Sequence, residues 1–499
     1  MSLALVQSRA LLGLQAPEVR VEVHLANGLP AFNLVGLPET AVRESRDRVR
    51  SALLTAGFEF PSRRITVNLS PAELPKEGGR YDLPIALGIL AASGQLPVSC
   101  LQGREFIGEL ALNGELREVR GVLPSGLATA AAERTLILPT TNLAEAGLIS
   151  RLESFGAEHL LDVTAYLLGQ KTLTSVIPLR TEVSPHHYPD LLEVKGQIMA
   201  RRALMVAAAG QHNLLFSGPP GSGKTLLARC LPGLLPELTE QEALEVAAVE
   251  SISLGFDPQR WKQRPFRSPH HSSSAVALVG GGSHPKPGEI SLAHRGILFL
   301  DELPEFGRSV LEVLREPLES GEIHLARAAR RATYPADFLL VAAMNPCPCG
   351  HLGDPRKACI CSEGQIRRYQ SRLSGPLLDR IDLHLEVPAL PPEDLWQQSQ
   401  GESTVMVREK VAQAREIQLQ RAGKLNAALT PTELEVFAPL GQDGQELLTR
   451  AMNKIFLSAR AAHRIIKVAR TLADIDASQQ IQRSHLLEAL GYRKLSRSD

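Results

Sequence analysis

Near its start the chain alternates apolar and polar residues: Val19, Val21, Val23 and Leu25 are interleaved with Glu18, Arg20, Glu22 and His24. A period of two puts one set on a covered face and the other in water, which predicts a half-buried strand. A helical pattern follows from about Glu39 and stops before Gly57, a residue suited to the position just past a helix end. Arg64 to Asn68 reads as another strand. Asn113-Gly114, between two strand-like runs, predicts a two-residue hairpin turn, and Gly126 to Glu133 predicts a helix. Residues 1–169 therefore read as an α+β domain.

The pattern then changes. Residues 170–189, with Pro178, Pro185 and Pro189, have little periodicity and read as a linker. From 190 to 388 the apolar runs become continuous, as in Leu214-Leu-Phe, Ile297-Leu-Phe-Leu and Phe338-Leu-Leu-Val-Ala-Ala343, and they alternate with helical segments. Strands that are apolar on both faces imply a parallel sheet covered by helices, an α/β core. After a break from Pro388 to Ser403, residues 389–499 are almost wholly helical, and their last part is basic, with ten Lys/Arg against four Asp/Glu in 450–499.

Composition narrows the class. The 499 residues are 44% apolar and 22% charged, as in ordinary globular proteins, and suffice for two to four domains. Lys plus Arg and Asp plus Glu each number 54, so a polyanion partner would have to be met by a local patch rather than a global field. The start lacks a cationic leader with an apolar stretch, and no apolar run approaches the length needed to span a bilayer, so the expectation is a cytoplasmic protein with no membrane segment. Four of the six cysteines crowd between Cys347 and Cys361, which in a reducing compartment points to metal rather than disulfides.

The chemistry concentrates where a strand meets a helix. Gly218, Pro219, Pro220, Gly221, Ser222, Gly223, Lys224 and Thr225 follow the strand Asn213–Ser217 and open a helix. Small glycines let a backbone curl around chained phosphates, and the helix N-terminus adds unpaired N–H donors and a positive dipole end. Lys224 would reach the β and γ phosphates of ATP, and Thr225 the Mg²⁺. About 77 residues after Lys224, the apolar strand Gly296–Leu300 delivers Asp301 for the Mg²⁺ shell and Glu302 to polarise the attacking water. The strand from Phe338 to Ala343 ends at Met344-Asn345, where an amide can sense the γ-phosphate.

With Ser374-Gly-Pro-Leu-Leu-Asp379-Arg380-Ile-Asp382 and Ser458-Ala-Arg460 further on, the order of motifs resembles the AAA+ ATPases, and more narrowly their magnesium-chelatase-like ComM/YifB family. Asp190-Leu-Leu-Glu-Val-Lys-Gly196-Gln197 and Pro287-Gly288-Glu289 through Gly296 match the same family, so the resemblance spans essentially the whole chain. It implies that Asn345 is sensor 1, that Arg380 is an arginine finger acting on a neighbouring subunit's nucleotide, and that Arg460 is sensor 2, with Arg464 its rival. A finger supplied in trans is worth roughly 10³ to 10⁵ in rate, so hydrolysis would need a ring, a homo-hexamer by resemblance. The alternative for Arg380 is an ion pair with Asp379 or Asp382. The resemblance further implies a motor on single-stranded or branched DNA that drives branch migration in recombination or transformation. Magnesium-chelatase-type protein remodelling is the rival.

Two inserted segments and a cysteine cluster remain. Arg267 through Gly282, rich in glycine and hydroxyls with His270 and His271, predicts a mobile loop. Gly321 to Pro335 reads as a hairpin whose Arg327, Arg330 and Arg331 are candidate phosphate contacts, or else a solvated tip. Cys347-Pro-Cys349 and Cys359-Ile-Cys361 flank a turn-rich loop and would give Zn²⁺ four thiolates and no open position, with His351 a possible substitute ligand and four free thiols the plain alternative. In the first domain, Pro75 to Leu87 and Gly121 to Leu127 resemble the Lon-protease-like fold. There the nucleophilic serine's place falls at Tyr81 or Asp82 and the lysine's at Gly126, so a scaffold rather than a Lon-like protease is expected, although Ser125 and Lys76 are present.

Overall fold

The computed structural model describes residues 2–37, 42, 44–175, 188–282, 286–327, 330–391, 393, 401–455 and 457–493, with the side chains of residues 2, 326, 327, 330, 331 and 455 outside that description. The chain forms two compact units. The first comprises Met1–Ser184 with Glu240–Trp261 and His324–Tyr334, and the second Pro185–Thr239, Lys262–Ile323 and Pro335–Asp499.

In the first unit an eight-stranded mixed sheet runs in the order Thr174–Ser175, Ser154–Ala157, Thr135–Pro139, Arg104–Phe106, Ser2–Arg9, Glu18–Ala26, Arg64–Ser70, Ala31–Val35. The alternation at 18–25 works as expected: Val19, Val21, Val23 and Leu25 are buried while the residues between them face outward or lie partly covered. The helix Asp82–Ala92 is buried along its whole length and packs on the strands Ser2–Arg9 and Glu18–Ala26. Beside it Arg9 forks onto Glu105 at 2.6 and 2.7 Å, and Glu105 also takes Thr129 Oγ1 and Arg134, so a fully buried carboxylate has all its company charged or hydrogen-bonded. Helix Glu240–Ser253 belongs to this unit: the Ser251 carbonyl accepts the Gly121 N–H at 3.2 Å, and the Ser251 hydroxyl bonds the buried Glu145 carboxylate.

Local expectations differ in detail. The early helix is Ser45–Thr55, with residues 38–41 and 43 outside the described set. The turn at Asn113-Gly114 is longer than two residues: Ala111 and Glu115 are joined at 2.9 Å and enclose Leu112, Asn113 and Gly114, the last at φ 91. A longer loop ending in a left-handed glycine satisfies the same two residue types. The helix beginning near Gly126 spans Val122–Ala131. Within the expected linker 170–189, Thr174–Ser175 pair antiparallel with the strand Ser154–Ala157, and 176–187 lie outside the described residues.

The second unit is built on a five-stranded sheet in the order Phe266–Arg267, Ile297–Leu300, Leu339–Met344, Leu214–Ser217, Leu383–Glu386, with every neighbouring pair parallel. Its three central strands are wholly buried, as continuous apolar runs require. Helices Ile198–Gly210 and Lys224–Leu234 share this core with Thr404–Ala422, Gln442–Ile455, Ala459–Ile475 and Arg483–Gly491 of the helical tail, whose remaining helix, Pro431–Phe437, sits on a small separate cluster of Leu429, Leu434 and Ala438. This is the parallel, helix-covered α/β core with a C-terminal helical region that the pattern predicts. The segment 267–282 is not featureless: it holds a short helix, Ala275–Val279, anchored by the fully buried Leu278, and Gly280–Gly281 pairs with Lys286–Pro287. The later insert is a hairpin, Glu322–Arg327 with Arg330–Pro335, most of which, His324–Tyr334, belongs to the first unit. No described helix is long and apolar enough to cross a membrane.

Candidate nucleotide site

Parallel strands deliver their C-terminal ends to one edge of the sheet, and the chemistry-bearing residues collect there. Ser217 hands the chain to Gly218, where a β-carbon would lie 2.1 Å from the Val387 carbonyl, so only glycine fits. Gly221 and Gly223 take φ of 73 and 91, wrapping the loop back into helix Lys224–Leu234. The first N–H groups of that helix have no intrahelical partner and face the loop. Ser222 Oγ is buried without a hydrogen-bond partner among the described residues, a donor that an anion in the loop would satisfy.

Lys224 Nζ donates to the carbonyls of Gly218 and Pro219 at 2.8 and 2.9 Å and to Asn345 Oδ1 at 3.3 Å. Burial lowers its pKa while the charge of Asp301 works the other way. Thr225 Oγ1 donates to Asp301 Oδ2 at 3.0 Å. Octahedral Mg²⁺ with oxygens at about 2.1 Å has edges of roughly 2.9 Å, so these two oxygens are spaced as neighbouring ligands. Glu302 follows with a left-handed backbone, φ 52, and its N–H caps Asp301 Oδ1 at 2.9 Å. Its carboxylate turns to His271 Nδ1 at 3.1 Å, and the His271 and His270 rings lie with centroids 4.1 Å apart, tilted by 34°.

The structure thus gathers Lys224, Thr225, Asp301, Glu302 and Asn345. Two other predicted residues are elsewhere. Arg380 is buried and forms an ion pair with Glu319, while NH1 donates to the Pro376 carbonyl at 2.6 Å. Arg460 is exposed in the first turn of helix Ala459–Ile475 and makes no hydrogen bond or ion pair among the described residues, whereas Arg464 is engaged with Asp382 Oδ1 at 2.6 Å. Burial alone would raise the pKa of Asp382, but His212 and Arg464 outweigh it and hold the carboxyl well below the usual range. The backbone of Arg327, Arg330 and Arg331 lies in the hairpin, and their side chains are outside the described residues.

Cys347, Cys349, Cys359 and Cys361 bring their sulfurs within 4.8 Å of one another. Three of the separations are 3.4, 3.7 and 3.6 Å, against an edge of about 3.8 Å for a tetrahedron with Zn–S of about 2.3 Å. The donor set and its spacing fit zinc. The backbone N–H groups of His351 and Ile360 pull the Cys349 thiol down to about 6. His351 is instead bonded to Asp354 at 3.2 Å. Gly350, inside this loop at φ 82, lies against the phosphate loop: a β-carbon there would be 2.7 Å from Pro220 Cδ.

Three family models match in sequence, each described as a part of magnesium chelatase subunit ChlI: one over residues 21–142, one over 190–395 and a C-terminal one over 401–493. The chain belongs to this magnesium chelatase ChlI family. Within the family it is similar along its whole length to a full-length group: competence protein ComM of Haemophilus influenzae is 56% identical, covering 100% of this chain and 98% of that protein, and YifB of Salmonella typhimurium is 53% identical with the same coverage. The magnesium-chelatase 67 kDa subunit of Chlorobaculum parvum is 26% identical over 43% of this chain and 29% of its own length. The ChlI-family core is an AAA+ ATPase core, and ATP with Mg²⁺ is its cofactor pair. Sequence reading missed His271 as the partner of Glu302 and Glu319 as the partner of Arg380, because each is brought in from a distant segment; it set Asp379 or Asp382 beside Arg380, whereas Asp382 pairs with Arg464.

Proposed function

We propose that the chain is an ATP-driven DNA motor that acts in the cytoplasm as a homo-hexameric ring and drives branch migration of recombining strands, in the service of competence. The observation that carries the ATPase half is the convergence of Lys224, Thr225, Asp301, Glu302 and Asn345 at one end of a parallel sheet. The DNA half is supported by likeness over the whole chain to a competence protein. In this reading Lys224 bridges the β and γ phosphates, and Thr225 with Asp301 holds Mg²⁺, which supplies charge stabilisation when bound. Glu302 takes a proton from the attacking water, and Asn345, already joined to Lys224, orients the γ-phosphate. Arg380 serves the neighbouring subunit's site. Arg460 is sensor 2, since Arg464 is committed to Asp382. Arg327, Arg330 and Arg331 contact DNA phosphates, and Cys347, Cys349, Cys359 and Cys361 would hold a zinc that braces the loop after Asn345.

Magnesium-chelatase-type remodelling is less well supported, because the relative of that name matches less than half of this chain. Proteolysis by the first unit finds no support: Ser125 Oγ donates to the Gly121 carbonyl at 2.8 Å, Lys76 Nζ to Pro71, and a β-carbon at Gly126 would lie 2.6 Å from Ile149 Cδ1. The deciding experiment compares ATPase rates with no polymer, single-stranded DNA, duplex, a four-way junction and unfolded protein. Stimulation by the junction is expected; stimulation by unfolded protein alone would overturn the proposal.

A further inference from the structure

An arginine that acts on another subunit has to leave its own. Arg380 is held on several sides. Its side chain is 8% exposed; one terminal nitrogen pairs with Glu319 and the other donates to the Pro376 carbonyl. Nε is buried without a hydrogen-bond partner among the described residues. The backbone is fixed as well, since the Arg380 carbonyl accepts Asn213 Nδ2 at 3.1 Å and Arg464 NH1 at 3.2 Å. In this rotamer the guanidinium lies inside its own chain, and no phosphate on a neighbour can reach it.

Glu319 itself is 56% exposed, so it is the yielding side of the pair. It stands on the short helix Pro317–Ser320, just before the hairpin begins at Glu322. That junction is stiff: Ser320 Oγ bonds the carbonyls of Glu316 and Glu322, each at 3.0 Å, Gly321 N–H returns to Pro317, and Ala336 N–H closes on the Gly321 carbonyl at 2.7 Å. Glu319 thus lies within a short, braced stretch that ends at the hairpin's first residue, Glu322.

We infer that Glu319 is a latch that parks Arg380 within its own subunit and that loading of the hairpin releases it. The inference rests on the proposed trans role of Arg380. Glu319 is a positioning residue in this scheme: it touches no nucleotide and sets only how often the finger is free. It makes ATP hydrolysis depend on polymer without any change in the nucleotide site, because the withheld group belongs to the adjoining site.

The test is the steady-state ATPase of full-length Glu319→Gln and Glu319→Asp, with and without branched DNA, beside Arg380→Ala. Removing one half-exposed ion pair should raise the polymer-free kcat by roughly two- to fivefold and shrink stimulation by DNA in proportion, with KM for ATP unchanged. Glu319→Asp, which keeps the charge, should fall between wild type and Glu319→Gln, and thermal melting reads out folding independently. A Glu319→Gln rate equal to or below wild type, with Arg380→Ala silent, would sink the latch while leaving the trans finger standing. Full hydrolysis by Arg380→Ala would remove the finger, and the latch with it.

Discussion

At the scale of single residues, the proposed roles separate groups that hold nucleotide from groups that act on it. Lys224 is buried among carbonyls, so its replacement removes the one ammonium the loop contains. Lys224→Ala should abolish ATP binding, whereas Glu302→Gln, which changes only a half-exposed carboxylate, should keep binding and trap ATP; isothermal titration and single-turnover hydrolysis separate the two. Asp382 makes a stability prediction. Its folded pKa is depressed by His212 and Arg464 against the effect of burial, so its contribution is fully present above the unfolded value of about 4 and is lost as pH falls below it. Arg464→Ala leaves that carboxylate buried with a partner missing and should cost about 3 kcal/mol, read from urea midpoints at neutral pH. In the variant, the loss of stability on acidification below pH ~4 should be smaller, because the carboxyl then titrates nearer its unfolded value.

At the scale of elements, strands that carry chemistry are legible in the sequence because their signal is local. Leu214–Phe216, Ile297–Leu300 and Leu339–Met344 are uninterrupted apolar runs, and Gly218, Asp301 and Asn345 come within two residues of their ends. The order in 267–282 is hidden because one buried residue, Leu278, is enough to seat the short helix Ala275–Val279, and composition does not register a single anchor. The length of the turn at Asn113-Gly114 is hidden too, since that pair suits both loop lengths and only the pairing of Ala111 with Glu115 distinguishes them. The pairs Arg380–Glu319 and His271–Glu302 leave no trace in the sequence, because each joins two separate segments that share no motif. The cysteine loop is visible as spacing, but its approach to Pro220 is not, since it depends on a glycine that looks like any other turn residue. About one zinc per chain is expected by elemental analysis. The double change Cys359→Ser with Cys361→Ser should lower both melting temperature and ATPase rate.

At the scale of the whole molecule, the proposed trans role of Arg380 divides the active centre between copies and makes activity a property of mixtures. Arg380→Ala and Lys224→Ala proteins should each be silent alone, yet mixing them should restore part of the ATPase rate, since some sites then combine an intact Lys224 with a neighbour's intact Arg380. Equal activity from a dilute monomer and a concentrated sample would contradict this. The interleaving of the two compact units has a different outcome. Helix Glu240–Ser253 and the strand segment to Tyr334 are encoded within the ATPase stretch but belong with Met1–Ser184. The helix buries Ala243, Val246, Ala247 and Val249 and packs along helix Val122–Ala131. Shortening the gene to begin at residue 188 would thus strip the cover from a helix that stays behind. A cut between the two units in sequence is therefore not a cut between them in space, and a fusion or exchange at that point divides a buried face from its cover.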